Sequence, residues 1–393
     1  MVGLAALDPP YTAKVKHMVH QVGILGFGMI GKVHAYGYRN LSLFYDPMPL
    51  EARITHVVTS RPETAEKARR LLDAEAAGTD FRAVTENPAM HIVHICTPNH
   101  RHREALLSAL RHQKHVYCDK PLVATMDEAE EIRQALAGYR GTAQMTFQNR
   151  FFPATLRAKQ LIDAGLLGQP LEFRACYLHA GSAEPDTPLK WKLTAAAGGG
   201  VIADLASHVL DLVAHFLGPF AAVMAQTKIA YPQRPLTAQP GQKAVVDAED
   251  AVLVLARMRS GAVGTIEATK LATGTEDELR LEIHGSRGAV RFSGIDPHHL
   301  EIYGAGAVDQ PLGGLRGWTR IDCGQRYGPP ASGFPSPKAT IGWLRGHVAC
   351  LANFLQAVAE GRPAEPGLEQ GIYVQHLMDC LRRSAEGSCW VEA

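Results

Sequence analysis

Val22-Gly23-Ile24-Leu25-Gly26-Phe27-Gly28-Met29-Ile30-Gly31 is the stretch whose reading decides the fold. Val22 to Leu25 is a short apolar run, the pattern of a buried parallel strand. It enters G-F-G-M-I-G, and Lys32 to Arg39 continue as a helix. Strand, glycine turn and helix in that order make a dinucleotide-binding unit. Gly26 permits the tight turn, Gly28 has no side chain to block a pyrophosphate, and Gly31 lets the helix pack closely on the strand. Free N–H groups at the helix start then offer partial positive charge to phosphates. Phe27, Met29 and Ile30 complete the turn and count with the glycines as candidate cofactor contacts.

Working outward, strands and helices alternate through Phe147. After an irregular stretch from Leu41 to Ala52, Ile54–Thr59 reads as a strand and Pro62–Ala77 as a helix. Phe81 and Val84 suggest a brief strand, and His91–Cys96 a fuller one. His102–Arg111 is helical, His115–Cys118 a strand, Asp127–Leu136 a helix and Thr142–Phe147 a strand. The alternation predicts an α/β fold, a doubly wound parallel sheet with ligands at its carboxyl edge. Beyond it the pattern changes. Helices are expected at Leu156–Ala164 and Val201–Leu217, the latter after Gly198-Gly199-Gly200. Strands follow at Leu171–Tyr177, Val223–Ile229, Ala251–Met258, Val263–Lys270, Leu279–His284 and Ala289–Phe292, with turn signals between them. Gly304–Ala339 reads as loop, and helices at Trp343–Ala359 and Glu369–Ala385 close the chain. The expected division is an N-terminal extension over 1–19, a Rossmann domain over 20–147, and over 148–393 a substrate-binding and oligomerisation domain of α+β type with an open, mostly antiparallel sheet.

Composition narrows the function. The 393 residues are 46% hydrophobic and 20% charged, enough for two packed domains. Lys+Arg number 40 against 39 Asp+Glu, so no basic surplus points to nucleic acid or to an anionic membrane. No run of 18 apolar residues suggests a membrane span. The seven cysteines form no C-x-x-C pair and read as reduced thiols of a cytoplasmic protein. No ligand set stands at metal spacing, so no metal is expected. No G-x-S-x-G is present, which argues against a serine hydrolase.

The residues able to do chemistry lie at predicted strand ends. Thr59-Ser60-Arg61 lacks the acid that usually holds the ribose of NAD, and Ser60 with Arg61 suits the 2′-phosphate of NADP, so the cofactor is NAD(P) with the choice open. Thr97, Pro98 and Asn99 end the strand before His102; Asn99 suits a ribose or phosphate, and His102 either orients that loop or is a structural histidine. Asp119-Lys120-Pro121 sets a lysine at the mouth of the sheet, where it could hold a substrate hydroxyl. Asp204 and His208, four apart on a helix, share a face, and a carboxylate beside an imidazole is the pairing that removes an alcohol proton.

These pieces together resemble the glucose–fructose oxidoreductase, inositol dehydrogenase and rhizopine-catabolism family, Gfo/Idh/MocA. G-F-G-M-I-G, T-P-N-H-R-H, D-K-P and G-G-G-x-x-x-D-x-x-x-H stand in the family's order across nearly the whole chain. The resemblance implies His208 as general acid/base, Lys120 as a ligand of the substrate hydroxyl and Asp204 as the residue orienting His208. It sets Gln148 and Arg150 near the nicotinamide. It also matches Trp191, while Lys192 departs from the family's Trp-Arg and Asp119 from its E-K-P. It implies an NAD(P)-dependent oxidoreductase acting on a ring hydroxyl of a sugar, glycoside or cyclitol, assembled as a homodimer or homotetramer. The alternative on the same residues is a redox-neutral glycoside hydrolase working by transient oxidation, elimination and re-reduction. Substrate choice is expected from loops around Gly181–Thr194 and Gly304–Ala339, with Lys190, Lys192, Arg326 and His347 as residues able to meet an acidic group.

Overall fold

The computed structural model describes residues 19–237, 239–306, 310–314, 316–324, 333–335, 339 and 342–393. The expected extension over 1–19 and Arg326 thus lie almost wholly outside the described residues. The first sheet is parallel throughout: β1 (His20–Leu25), β2 (Ala52–Val58), β3 (Ala76–Gly78), β4 (Ile92–Ile95), β5 (His115–Asp119) and β6 (Ala143–Thr146), in the spatial order 3-2-1-4-5-6. Val22, Ile24 and Leu25 are sealed from solvent between neighbouring strands, which is why the run carries no alternation. Helices α1 (Met29–Phe44), α2 (Pro62–Leu72), α3 (Arg82–Thr85), α4 (His102–Arg111) and α5 (Met126–Leu136) are its crossovers. The strand order reverses between β1 and β4, and the crevice opens at that switch point.

Four local readings are corrected. The first helix runs on to Phe44, because Leu41 and Phe44 both face the core and the first proline comes only at Pro47. The second ends at Leu72, where Asp73 takes a left-handed conformation with φ 52°. Ala76–Gly78 then joins the edge of β2. Phe81 and Val84 do not form a strand. Their i,i+3 spacing fits one helical turn, started by the Asp80 carboxylate accepting from the Arg82 N–H at 3.0 Å.

The second sheet holds, among the described residues, nine strands. They are β7 (Pro170–Leu178), β8 (Phe220–Lys228), β11 (Ala251–Met258), β12 (Val263–Thr269), β13 (Glu278–Gly285), β14 (Gly288–Ser293), β15 (His299–Gly304), β16 (Thr319–Asp322) and β17 (Val391–Glu392). A separate hairpin pairs β9 (Gln233–Leu236) with β10 (Gln239–Val245). All neighbours in the large sheet are antiparallel except β7 with β12, so the expected meander is interrupted by one parallel pair. β16 lies within the stretch expected to be loop. On β11, Val252, Val254, Ala256 and Met258 point into the core while Leu253 and Leu255 point out. One covered face and one open face produce that period of two. Helices α6 (Pro153–Asp163), α7 (Ser207–Leu217) and α9 (Leu368–Gly387) cover the inner face, and α8 (Trp343–Glu360) returns to pack on α1. The helical stretch Ala195–Leu217 is apolar enough to span a membrane by length and composition, yet 83% of its most apolar 18-residue window is buried in this core.

Candidate active site

The carboxyl ends of β1, β2, β4, β5 and β6 open into one cleft of about 1120 Å³, closed on its far side by residues of the second sheet and of the G-G-G segment. Gly26, Phe27, Gly28, Met29 and Ile30 line it at the tip of β1. Gly26 has φ +91°, and a Cβ there would lie 2.6 Å from the Cys96 carbonyl. A Cβ on Gly28 would meet nothing within 4 Å, so its missing side chain leaves open space at the turn. No side chain caps α1 and no acid stands in its first turn, so its leading N–H groups remain available to an anion. These features fit a pyrophosphate. Gly31 lies off the cleft, where a Cβ would sit 2.5 Å from the Gly26 carbonyl, and serves the close packing expected of it.

Ser60 and Arg61 line the far end of the cleft together with Arg101. Thr97, Pro98 and Asn99 line its middle, and the Asn99 amide donates to the Gly198 carbonyl at 2.7 Å, tying the β4 loop to the G-G-G segment. His102 does not reach the cleft. It is fully buried, with Nδ1 3.1 Å from the Pro121 carbonyl and Nε2 2.7 Å from the Thr97 carbonyl. It braces the T-P-N and D-K-P loops against each other, so its place among the cofactor contacts is corrected to a structural one. Gln148 and Trp191 line the cleft, but Arg150 does not. Its guanidinium forks onto Asp211, which also accepts from Gln370 at 2.9 Å. Lys192 and His347 line the cleft, whereas Lys190 is exposed away from it.

Lys120, Asp204 and His208 meet at the centre. Gly199 allows this: a Cβ there would stand 2.6 Å from the Lys192 carbonyl. The Glu249 carbonyl and carboxylate accept the N–H groups of Val201 and Ile202 at 2.8 and 3.0 Å, anchoring the helix start. Residues Ile202–Ala206 are then wound as a π-helix, a local widening common at functional sites. Lys120 Nζ donates to the main-chain carbonyl of Asp204 and lies 3.5 Å from its carboxylate. Lys192 donates to the same carboxylate at 2.8 Å, and Lys270 approaches it at 3.0 Å. Asp204 is thus held by three ammonium groups and shares no hydrogen bond with His208, so the expected carboxylate–imidazole pair is replaced by a carboxylate–lysine cluster.

The electrostatics follow. Burial alone would raise the Asp204 carboxyl, but Lys270, Lys120 and Lys192 hold it well below the usual carboxylate range. Burial lowers the Lys120 ammonium, and Asp204 opposes the shift. Burial pushes the Asp119 carboxyl up to about 6 against the pull of Lys120. Burial, helped by the field of Lys120, lowers His208 well below an ordinary imidazole. Its Nδ1 is sealed and unpartnered, and the rings of Phe147 and Tyr177 stand edge-on at 6.2 and 5.8 Å. The ring lines the cleft. Nε2 is therefore the ring nitrogen left open to the cleft.

Sequence reasoning missed Lys270, Tyr177, His179 and Asp277. His179 pairs with Asp277 at 3.0 Å, and both line the cleft with Tyr177. Lys270 and His179 each stand just past the end of a strand of the second sheet, the position that singled out Lys120 in the first.

Comparison with known proteins agrees with this geometry. Residues 20–147 match the family described as an oxidoreductase family with an NAD-binding Rossmann fold, and residues 155–291 match the Gfo/Idh/MocA C-terminal domain. The chain is 32% identical to levoglucosan dehydrogenase of Pseudarthrobacter phenanthrenivorans over 94% of its own length and 97% of that protein. It is 26% identical to inositol 2-dehydrogenase of Rhizobium meliloti over 93% and 97%. A solved structure of levoglucosan dehydrogenase in complex with NADH and L-sorbose superposes with TM-score 0.88 at 32% identity, covering 95% of this chain and 99% of that one. These names are those of dehydrogenases and do not support the redox-neutral glycoside-cleaving alternative. Matched along both sheets and at 32% identity over nearly its full length, the chain belongs to the Gfo/Idh/MocA family of oxidoreductases, with residues 20–147 as its NAD-binding Rossmann fold.

Proposed function

We propose that the protein is a dehydrogenase oxidising one ring carbinol of a sugar, anhydrosugar or cyclitol. The observation that carries this reading is the convergence of Lys120 and His208 on one cleft beside the glycine turn, with Asp204 fixing the lysine. The bound nicotinamide supplies the hydride acceptor, and the rest falls to side chains. Lys120 donates to the reacting oxygen and stabilises its developing charge. His208 Nε2, neutral, takes the hydroxyl proton. Tyr177, His179 and Trp191 are placed to contact the remaining hydroxyls and the apolar face of a ring. The end of β2, Thr59-Ser60-Arg61, offers no carboxylate to the adenosine ribose, and Arg61 with Arg101 suits a 2′-phosphate, so NADP is accepted alongside NAD.

We further take 20–147 as the cofactor domain and 148–393 as the substrate-binding and oligomerisation domain. Exposed Leu253, Leu255 and Val263 on the open face of the second sheet support a homo-oligomer. The seven free cysteines support a reducing, cytoplasmic setting. The test is to incubate the purified protein with NAD or NADP and a panel of inositols, anhydrosugars, free sugars and glycosides, following nicotinamide absorbance and product mass together. Reduced nicotinamide accumulating with a ketone product is expected. Sugar released from a glycoside without net cofactor reduction, or no turnover of any cyclic polyol, would overturn the reading.

A further inference from the structure

Outside the substrate site, a second cluster of ionisable side chains lies behind the glycine turn. His34 on α1 is 2% exposed and His94 on β4 is fully buried. Cys96, two residues beyond His94 along the strand, points to the same side. The three donor atoms all lie within 4.8 Å of one another. His34 Nδ1 is 3.3 Å from the Cys96 sulfur and 2.7 Å from His94 Nε2, and the two rings stack with centroids 4.5 Å apart.

A hydrogen-bonded trio accounts for this poorly. Neutral imidazole has one N–H. If His94 Nε2–H donates to His34 Nδ1, His34 Nε2 must carry a hydrogen and His94 Nδ1 a lone pair. Both atoms are buried without a partner. So are both ring nitrogens of His347, whose ring is 5.5 Å from His34, and the hydroxyl of Tyr38, whose ring is 5.6 Å from His94. The surroundings are otherwise apolar, with Val22, Ile24, Leu351 and Phe354 in the same cluster. Unmet polar atoms at this density are abnormal for a packed core.

We propose that His34 Nδ1, His94 Nε2 and Cys96 Sγ bind a zinc ion behind the cofactor turn. Two imidazoles and a thiolate suit a borderline-soft d-block cation, and the absence of any carboxylate from the set disfavours magnesium and calcium. Tetrahedral zinc, with bonds of about 2.0–2.3 Å, holds its ligand atoms roughly 3.3–3.7 Å apart, so the His34–His94 pair, now at 2.7 Å, must open by about 0.6 Å while His34 and Cys96, at 3.3 Å, already stand at that spacing. Binding releases the Cys96 thiol proton to solvent and leaves both histidines neutral. It also fixes the outer nitrogens, His34 Nε2 and His94 Nδ1, as N–H donors; the nearby rings of His347 and Tyr38, with centroids 5.5 and 5.6 Å from those of His34 and His94, lie outside hydrogen-bond reach of them in this structure. Cys96 and His347 line the cleft, which gives the ion a way in. The Cys96 N–H donates to the Leu25 carbonyl at 2.7 Å, directly before Gly26. Zinc here would staple α1 and β4 to the back of the turn, a structural role separate from the proton and hydride chemistry. No sequence spacing announces it, because His34 and His94 are brought together only by the parallel sheet.

The test uses untagged full-length protein stripped with a chelator and titrated with Co2+. The expected result is saturation at one cobalt per chain, with a thiolate-to-cobalt charge-transfer band, and displacement by Zn2+. Cys96→Ser should abolish that band, and His94→Gln should weaken binding by more than about tenfold, with circular dichroism showing both variants folded. Native mass spectrometry of the wild type after addition of one equivalent of Zn2+ decides the matter even if a variant fails to fold. No saturable uptake by the wild type, or a cobalt spectrum unchanged in Cys96→Ser, would overturn the proposal.

Discussion

Asp204→Asn is the substitution that most directly tests how the centre is held. It keeps the side-chain shape and removes one negative charge from among three ammonium groups. Lys120 and Lys270 have side chains only 12% and 8% exposed, and both face that carboxylate, at 3.5 and 3.0 Å. At an effective dielectric of about 20, each contact is worth on the order of 4 kcal/mol before desolvation. Lys192, at 47% exposure, is screened by water and adds only about 0–1 kcal/mol. Breaking a buried pair by removing one partner costs about 3–5 kcal/mol, so Asp204→Asn should lower stability by that amount. Chemical denaturation monitored by fluorescence reads it. The double variant Asp204→Asn/Lys270→Met should recover about 1–3 kcal/mol, since it no longer strands one of the two buried cations. The same change should shift the pH profile of oxidation. With Asp204 gone, Lys120 loses the partner that opposes its desolvation and sheds its proton at lower pH, so the alkaline limb of kcat/KM should move toward neutrality. A loss below about 1 kcal/mol, with an unchanged pH profile, would refute the view that Asp204 acts through the lysines.

Lys120→Met should abolish turnover while leaving cofactor binding, followed by quenching of protein fluorescence, close to that of the wild type. His208→Asn should cost about 10²–10⁴ in kcat. Because burial holds His208 well below its ordinary value, the wild type should keep its base neutral, and its oxidation rate should show no imidazole limb as pH falls through 6.5. A limb there that vanishes in His208→Asn would contradict this. Ser60→Asp should raise the NAD/NADP ratio of kcat/KM by placing a carboxylate at the end of β2; an unchanged ratio would mean the ribose binds elsewhere. For Asp119 the folded-state value, about 6, lies above the ordinary 3.8. The folded state therefore holds this proton more tightly, and the associated stability is present below about pH 4 and lost as pH rises through 6. Asp119→Asn should consequently gain about 3 kcal/mol relative to the wild type on going from pH 4 to pH 8, measured by parallel denaturant titrations.

Much of the fold was legible because its determinants are local. The buried aliphatic run before Gly26, the alternation on β11 and the helix His102–Arg111 each depend on side chains close in sequence, and period plus a stop signal suffices to place them. The misreadings occurred where tertiary context outvoted local pattern. Phe81 and Val84 were ambiguous because two apolar residues define no period, and the parallel pairing of β7 with β12 joins residues 91 apart in sequence, as in the register Ala268↔Tyr177.

The active site divides along the same line, and that division bears on how its chemistry is built. Lys120, Asp204 and the turn glycines were found because a loop at a strand end and a glycine-led helix leave their own signatures. Lys270 left none, since nothing between Val263 and Thr269 distinguishes a strand that ends beside the Asp204 carboxylate from one that ends in solvent. Yet Lys270 is the most buried of the three cations on Asp204, and its presence changes the role of that acid. An aspartate beside His208 alone would raise the imidazole's basicity. An aspartate already committed to three ammonium groups spends its charge on holding Lys120, and the lysine field at His208 favours the neutral ring. In the proposed reaction the proton acceptor is thus kept neutral by burial first and by the nearby Lys120 charge second, and that arrangement exists only once β5, β12 and the π-helical turn have been assembled around one carboxylate.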